Sequence, residues 1–339
     1  MLVIAFGTRP EWLKIKPVVM ELKNQSVEFG LIFTGQHEDL VSAAEVMEFG
    51  AKWFSQFKLL SNVSSNRLDN IASQILSEPF EEWMDVTSLM VQGDTTSAFA
   101  MALAAFHRRI PVIHLEAGLR TYDSTQPFPE EANRQMISSL ASVHLCPTKW
   151  TAKNLGRENV SGEIHIVGNT VLDNLKDVQT SEGNKVLVTM HRRENHESLE
   201  AWFRTISALA SIHVGFEFIL PIHPNPEVKK CRDFLGPAVT VVDPLSHEEL
   251  IKILADCKGV ITDSGGIQEE AAFLRKPCVV CRERTERTEG IGNFSLLCKT
   301  PFDLQNTFTD AMVSLPMEGP CPYGDGNSAK RVVEIVKGL

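Results

Sequence analysis

The sequence predicts an α/β protein made of two doubly wound, Rossmann-like parallel sheets. Three observations predict it. Short apolar or β-branched runs alternate with helix-like stretches along the chain, the pattern of parallel sheets covered on both faces. At 339 residues the chain is longer than one hydrophobic core usually organises. The alternation breaks once, in the polar stretch VGNTVLDNLKDVQTSEGNK at residues 167–185. The expected organisation is an N-terminal domain over 1–168, a C-terminal domain over 169–322 and a closing helix over 323–339 that packs back on the first domain.

The first strand, LVIAF, runs into Gly7, Thr8, Arg9 and Pro10. Proline is tolerated at a first helical position, because its missing N–H has no intrahelical partner there. A cation beside a helix N-terminus, where positive partial charge already gathers, marks a seat for an anion. Further strands are expected at EFGLIFTG, SLMVQ, PVIHLE, SVHLCP and EIHIVG. The second half offers KVLVTM, EFILPIH, VTVVDP, GVITD and PCVVC. Doubly wound sheets bind ligands outside the carboxyl ends of their strands, so two of them facing each other would share one cleft.

The residues at those ends carry the chemistry. In the first half they are Arg9, Asp94 and Glu116, followed by Glu130, Glu131 and Arg134 of PFPEEANRQ. In the second half they are His191, His223 and the turn TDSGGIQEE. Ser264, Gly265 and Gly266 of that turn stand between a strand and a helix, where glycines let backbone N–H groups approach an anion. No Gly-Lys-Ser/Thr follows, so the turn is not a P-loop, and no strand leads into a dinucleotide fingerprint. A mononucleotide diphosphate fits better than a nicotinamide dinucleotide.

Each residue also has a plainer role open to it. Asp94 before two threonines could cap a helix, and Glu130 and Glu131 could serve only the helix dipole. Glu130 and Arg134, spaced i and i+4, could be a surface pair of little worth. A lone histidine is more often a satisfied one than a catalyst. Glu116 is harder to dismiss, since a carboxylate closing an apolar strand needs partners. Their joint placement at strand ends favours function.

The net charge of −10 argues against general attraction to nucleic acid, so an anionic ligand needs a local cluster of cations. The seven irregularly spaced cysteines point to reduced thiols and a cytoplasmic setting. The pair Cys278 and Cys281 reads as part of a buried strand rather than a zinc site. Neither a signal peptide nor a membrane span is expected.

GTRPE, TGQH, GDTTS, HLEAGLRT, PFPEEANR, HRREN, HPNP and TDSGGIQEEA together resemble the non-hydrolysing UDP-N-acetylglucosamine 2-epimerases, in order from residue 3 to about 290. The resemblance implies a fold of the glycogen phosphorylase, or GT-B-like, type, usually in a homodimer. It implies interconversion of UDP-GlcNAc and UDP-ManNAc by elimination of UDP to 2-acetamidoglucal and re-addition, with no cofactor. Asp94, Glu116, Glu130 and His191 would be the catalytic groups, which carboxylate takes the proton being left open. Arg9, Lys14, Arg134, His223, Ser264, Gly265, Gly266 and Glu270 would bind the substrate, Glu270 at the ribose hydroxyls. Thr288 stands where the family usually has proline, and Leu250 where an aromatic commonly lies near the uracil. Bacterial members also bind an activating second UDP-GlcNAc beside Gln36 and His37. Glu38, Asp39 and Ser65 lead us to expect that activation to be absent here, unless Arg67 takes the place of a missing arginine. The rival readings are a hydrolysing epimerase releasing ManNAc and UDP, an epimerase of a related UDP-acetamido sugar, and a glycosyltransferase of the same architecture.

Overall fold

The computed structural model describes residues 1–36, 48–56, 66–77 and 85–339. The chain divides into two compact units, one of residues 1–174 with 324–339 and the other of residues 175–323.

The first unit is built on seven parallel strands, β1 (Leu2–Phe6), β2 (Phe29–Phe33), β3 (Trp53–Gln56), β4 (Ser88–Gln92), β5 (Val112–Leu115), β6 (Val143–Cys146) and β7 (Glu163–Ile166). Their order is β3-β2-β1-β4-β5-β6-β7. Both faces of β1 are buried, which is why it reads as an unbroken apolar run rather than an alternating one. One face packs Ile4 and Phe6 with Ile15, Val18 and Leu22 of the Arg9–Asn24 helix. Val332 and Val333 of the C-terminal Ser328–Lys337 helix close the same core. Asp173 accepts the backbone N–H groups of Ser328 and Ala329 at that helix's start. The opposite face packs Val3 and Val91 with Met101 of the Thr96–His107 helix and Ile137 of the Glu130–Leu140 helix, and Ile71 and Ile75 of the Arg67–Ser77 helix join the same core.

The second unit holds six parallel strands, β8 (Lys185–Thr189), β9 (Glu217–Pro221), β10 (Val239–Val242), β11 (Cys257–Thr262), β12 (Cys278–Cys281) and β13 (Ser295–Cys298). Their order is β10-β9-β8-β11-β12-β13. Trp202, Phe203, Phe218 and Phe308 fill the larger core. Cys281 belongs to that core, while Cys278, three residues earlier on the strand, points to the other face, so the two cannot share one ion.

Strand order reverses between β1 and β4 in the first unit and between β8 and β11 in the second. At such switch points the neighbouring loops diverge and leave a crevice for ligand. Arg9, Asp94, His191 and the Ser264–Gly266 turn all follow these four strands. Two edge strands, β3 and β13, were not expected from the sequence.

Candidate active site

In the first unit, β5 is followed directly by Glu116, whose backbone lies in the left-handed region at φ 68°. That conformation is costly for a side chain with a Cβ and persists only where the surroundings hold it. Here Lys14 donates to both carboxylate oxygens, at 2.7 and 2.5 Å, and Gln92 donates to Oε2 at 2.5 Å. The Glu116 side chain keeps 8% of its surface exposed, so it is desolvated yet open to a ligand.

Asp94 follows β4 after Gly93. The helix beyond it is capped by Thr95, whose hydroxyl accepts the Ala98 N–H, so Asp94 is released from that duty. Its carboxylate pairs with Arg134 at 2.6 Å, and its carbonyl accepts from Asn133. Arg134 is buried, not the surface partner its spacing allowed, and it also lies 3.4 Å from Glu131. Fully buried Glu131 accepts the N–H groups of Thr121 and Tyr122 as well as the Gln135 amide. It organises the turn before Glu130, which begins the helix half-buried.

The turn that carries Asp94 is held by the first residue of HLEAGLRT, which sequence reasoning did not single out. His114, buried on β5, donates from Nε2 to the Gly93 carbonyl at 2.8 Å, while the Gly93 N–H bonds to the Leu115 carbonyl. Burial pushes the His114 imidazole down to about 3, so the ring is neutral and holds the turn as a donor.

The turn after β1 is less open than its sequence suggests. Glu11 accepts the N–H groups of Gly7 and Thr8 at 2.8 and 2.7 Å and the Thr8 hydroxyl at 2.9 Å. Its other oxygen accepts from Thr95. The chain's own carboxylate thus occupies these amides, and burial raises the Glu11 acid. Arg9 is exposed and makes no side-chain bond among the described residues, so its guanidinium remains available to an anion.

In the second unit His191 follows β8, and its ring stacks on His223 with centroids 4.8 Å apart. Burial lowers the proton affinity of both rings, and stacking opposes charging them together. Sequence reasoning passed over Asp263. Fully buried at the end of β11, it accepts the N–H groups of His191 and Arg192 and the Asn195 amide, and lies 3.7 Å from His191 Nδ1. The TDSGG string did include it, but nothing in its spacing tied it to HRREN.

Ser264 precedes the Gly265–Phe273 helix and makes no capping bond with its side chain. The amides of Gly265 and Gly266, at the first two helical positions, have no intrahelical acceptor. A Cβ on Gly265 would lie 2.5 Å from the Arg287 guanidinium, which pairs with Glu269 and Glu286. A Cβ on Gly266 would make only an ordinary contact, 3.9 Å from the Ser264 hydroxyl. Among the described residues neither amide has an acceptor, so this turn suits an anion, beside a buried guanidinium. Glu270 of the same helix is almost entirely buried and accepts from His247. Leu250 is half-buried. His37, Glu38, Asp39 and Ser65 lie outside the described residues, and Arg67 donates to the Gln36 carbonyl.

The first unit ends its strands β4 and β5 in carboxylates paired with cations, and the second ends β8 and β11 in a stacked imidazole and a glycine turn. The chain belongs to the UDP-N-acetylglucosamine 2-epimerase family, an isomerase family, whose profile matches residues 20–337. It is 36% identical to the UDP-N-acetylglucosamine 2-epimerase of Campylobacter jejuni, over 99% of this chain and 97% of that one. The structure of the UDP-GlcNAc 2-epimerase from Neisseria meningitidis bound to UDP-GlcNAc matches with a TM-score of 0.89 at 32% identity, covering 100% of both chains. The Methanocaldococcus jannaschii UDP-GlcNAc 2-epimerase in complex with UDP-GlcNAc and UDP matches at 0.81 and 27% identity, over 100% of this chain and 99% of that one. The fold is accordingly GT-B-like.

Proposed function

We propose that this protein interconverts UDP-GlcNAc and UDP-ManNAc by inverting C2. The C2 hydrogen has no adjacent carbonyl to acidify it, so its removal is coupled to loss of UDP from C1. A base takes the C2 proton, the C–H electrons form the C1–C2 double bond, and the C1–O pair leaves with the diphosphate. The products are 2-acetamidoglucal and UDP. Return of a proton to the opposite face of C2, with re-addition of the diphosphate oxygen to C1, completes the inversion.

Asp94, Glu116 and Glu130 supply the acid–base groups at the sugar, with His191 as the fourth catalytic residue. Lys14 holds Glu116 and Arg134 holds Asp94, so these cations orient the carboxylates as well as adding positive charge. The amides of Gly265 and Gly266 with Ser264 receive the departing diphosphate, helped by Arg9 and His223. Glu270 holds the ribose. We further propose that the enzyme works in the cytoplasm as a homodimer. All seven cysteines are free thiols, and no helix among the described residues is long and apolar enough to cross a membrane.

The single observation that carries the reading is the pair of cation-held carboxylates at the β4 and β5 ends, in a chain of this family. The test is product analysis by NMR after incubation with UDP-GlcNAc and no acceptor. UDP-ManNAc in equilibrium with substrate is expected. Free ManNAc with stoichiometric UDP would establish the hydrolysing reaction, and no turnover would remove the epimerase reading.

A further inference from the structure

His247 opens the His247–Asp256 helix directly after Ser246, which caps it in a capping box with Glu249. Its ring meets Glu270 across the neighbouring helix, with Nε2 2.8 Å from Oε1. A carboxylate oxygen accepts, so Nε2 carries the hydrogen. Only 4% of the Glu270 side chain is exposed, and among the described residues His247 is its one hydrogen-bond partner. A carboxylate so far removed from water normally gathers several donors, because each unfilled lone pair adds to the cost of burial. Here Oε1 is filled and Oε2 is left to something else. The chemistry that would fill it is a hydroxyl donor, and a vicinal diol presents two.

We propose that His247 is a positioning residue for ribose recognition: by holding Oε1, it turns Oε2 of Glu270 toward the 2′- and 3′-hydroxyls of the bound uridine nucleotide. The proposal rests on the reading of Glu270 as the ribose ligand. The sequence placed neither His247 nor this pairing in the site. Its position favours a fixed geometry. The imidazole stands on the first turn of a capped helix, and Leu250 lies one turn further along the same face. With the ring in place, Glu270 is confined to one orientation before nucleotide arrives, so the cost of ordering it falls outside the binding step. Without the ring, nothing among the described residues holds Oε1, and a carboxylate free to turn toward water is a poorer acceptor for a diol.

The test compares binding of UDP and of 2′,3′-dideoxyuridine diphosphate by calorimetry in the full-length wild type, His247→Phe, His247→Gln and Glu270→Gln. Wild type should prefer UDP by tenfold or more, the scale of hydrogen bonds to a charged group. His247→Phe should lose about tenfold for UDP and less than twofold for the dideoxy compound. His247→Gln, which keeps an N–H donor, should recover part of the loss. With UDP-GlcNAc as substrate, the loss should fall on KM rather than kcat. Equal affinity of the wild type for the two diphosphates would overturn the ribose reading, and this proposal with it. A wild-type preference that persists undiminished in His247→Phe would overturn the proposal alone. So would equal losses on both ligands, which would mean general damage to the pocket.

Discussion

Adjacent residues in the sequence Glu130-Glu131 have opposite duties. Glu131 is fully buried, accepts from two backbone amides and the Gln135 side chain, and lies 3.4 Å from Arg134, so it maintains the turn. Glu130, at the helix start and half-buried, is the one proposed to act at the sugar. Asp94→Asn, Glu116→Gln, Glu130→Gln and His191→Asn should each lower turnover by ~10²-fold or more with the fold intact, the scale of lost acid–base or electrostatic groups. Glu131→Gln should act on stability, costing about 2–3 kcal/mol, or roughly 4–12 °C in Tm, with a much milder loss of turnover. Steady-state kinetics and thermal melts of the five variants decide it, and an essential Glu131 beside a dispensable Glu130 would reverse the assignment. The sequence drew attention to Asp94 and Glu116 because chemistry-bearing residues at strand ends stand out against apolar runs, and to Glu130 and Glu131 in the PFPEEANRQ stretch that follows. It did not show Asp263, His114 or His247, whose importance lies in contacts with residues 72, 21 and 23 positions away.

The strand-to-helix turns differ in how much of their backbone is left for a ligand. After β1 the amides belong to Glu11; after β11 they are open. The glycines divide in the same way. Gly118 has φ +87°, and a Cβ there would sit 2.3 Å from the Thr151 carbonyl oxygen. Gly266 has room for a methyl group, with the nearest atom 3.9 Å away. Gly118→Ala should therefore destabilise the first unit severely, through both strain and a backbone clash. Gly266→Ala should leave Tm unchanged or slightly raised, since alanine favours helix by up to ~1 kcal/mol, yet weaken UDP binding by tenfold or more. Melting and UDP titration of the two variants check this; unaltered UDP affinity in Gly266→Ala would remove the anion site from this turn. At this scale the sequence was readable for the eleven strands with apolar runs. It was not readable for β3 and β13. WFSQ and SLLC are four residues long and pair on one side, so neither needs the continuous apolar run of a central strand.

Across the molecule, buried histidines make stability depend on pH. His114 and His144 lie side by side on β5 and β6, and burial lowers the proton affinity of both, His114 to about 3. Their unfolded counterparts titrate near 6.5. Unfolding therefore takes up protons below that value, so the stability they confer is complete above pH 6.5 and is lost as pH falls. Each ring can contribute a slope of at most about 1.4 kcal/mol per pH unit. Urea midpoints should fall from pH 6.5 to 4.5, and His114→Asn, which keeps an N–H donor for Gly93, should flatten the decline; an equal decline in that variant would exclude His114 as a source. The alternation of strands and helices made two doubly wound units legible from the start, because a local pattern sets them. The pairing of each carboxylate with its cation arises only when a strand end meets a helix distant in sequence, Glu116 with Lys14 and Asp94 with Arg134.

Proton traffic at C2 is what that pairing is proposed to serve, so it gives the most direct measurement. UDP-GlcNAc is incubated with the enzyme in D2O and C2 of both nucleotide sugars is followed by NMR. The account predicts deuterium at C2 of UDP-ManNAc and, with time, of recovered UDP-GlcNAc, because the proton removed exchanges with solvent before return. UDP-ManNAc formed with protium retained at C2 throughout would contradict removal of the proton by one solvent-exchanging group and its delivery by another.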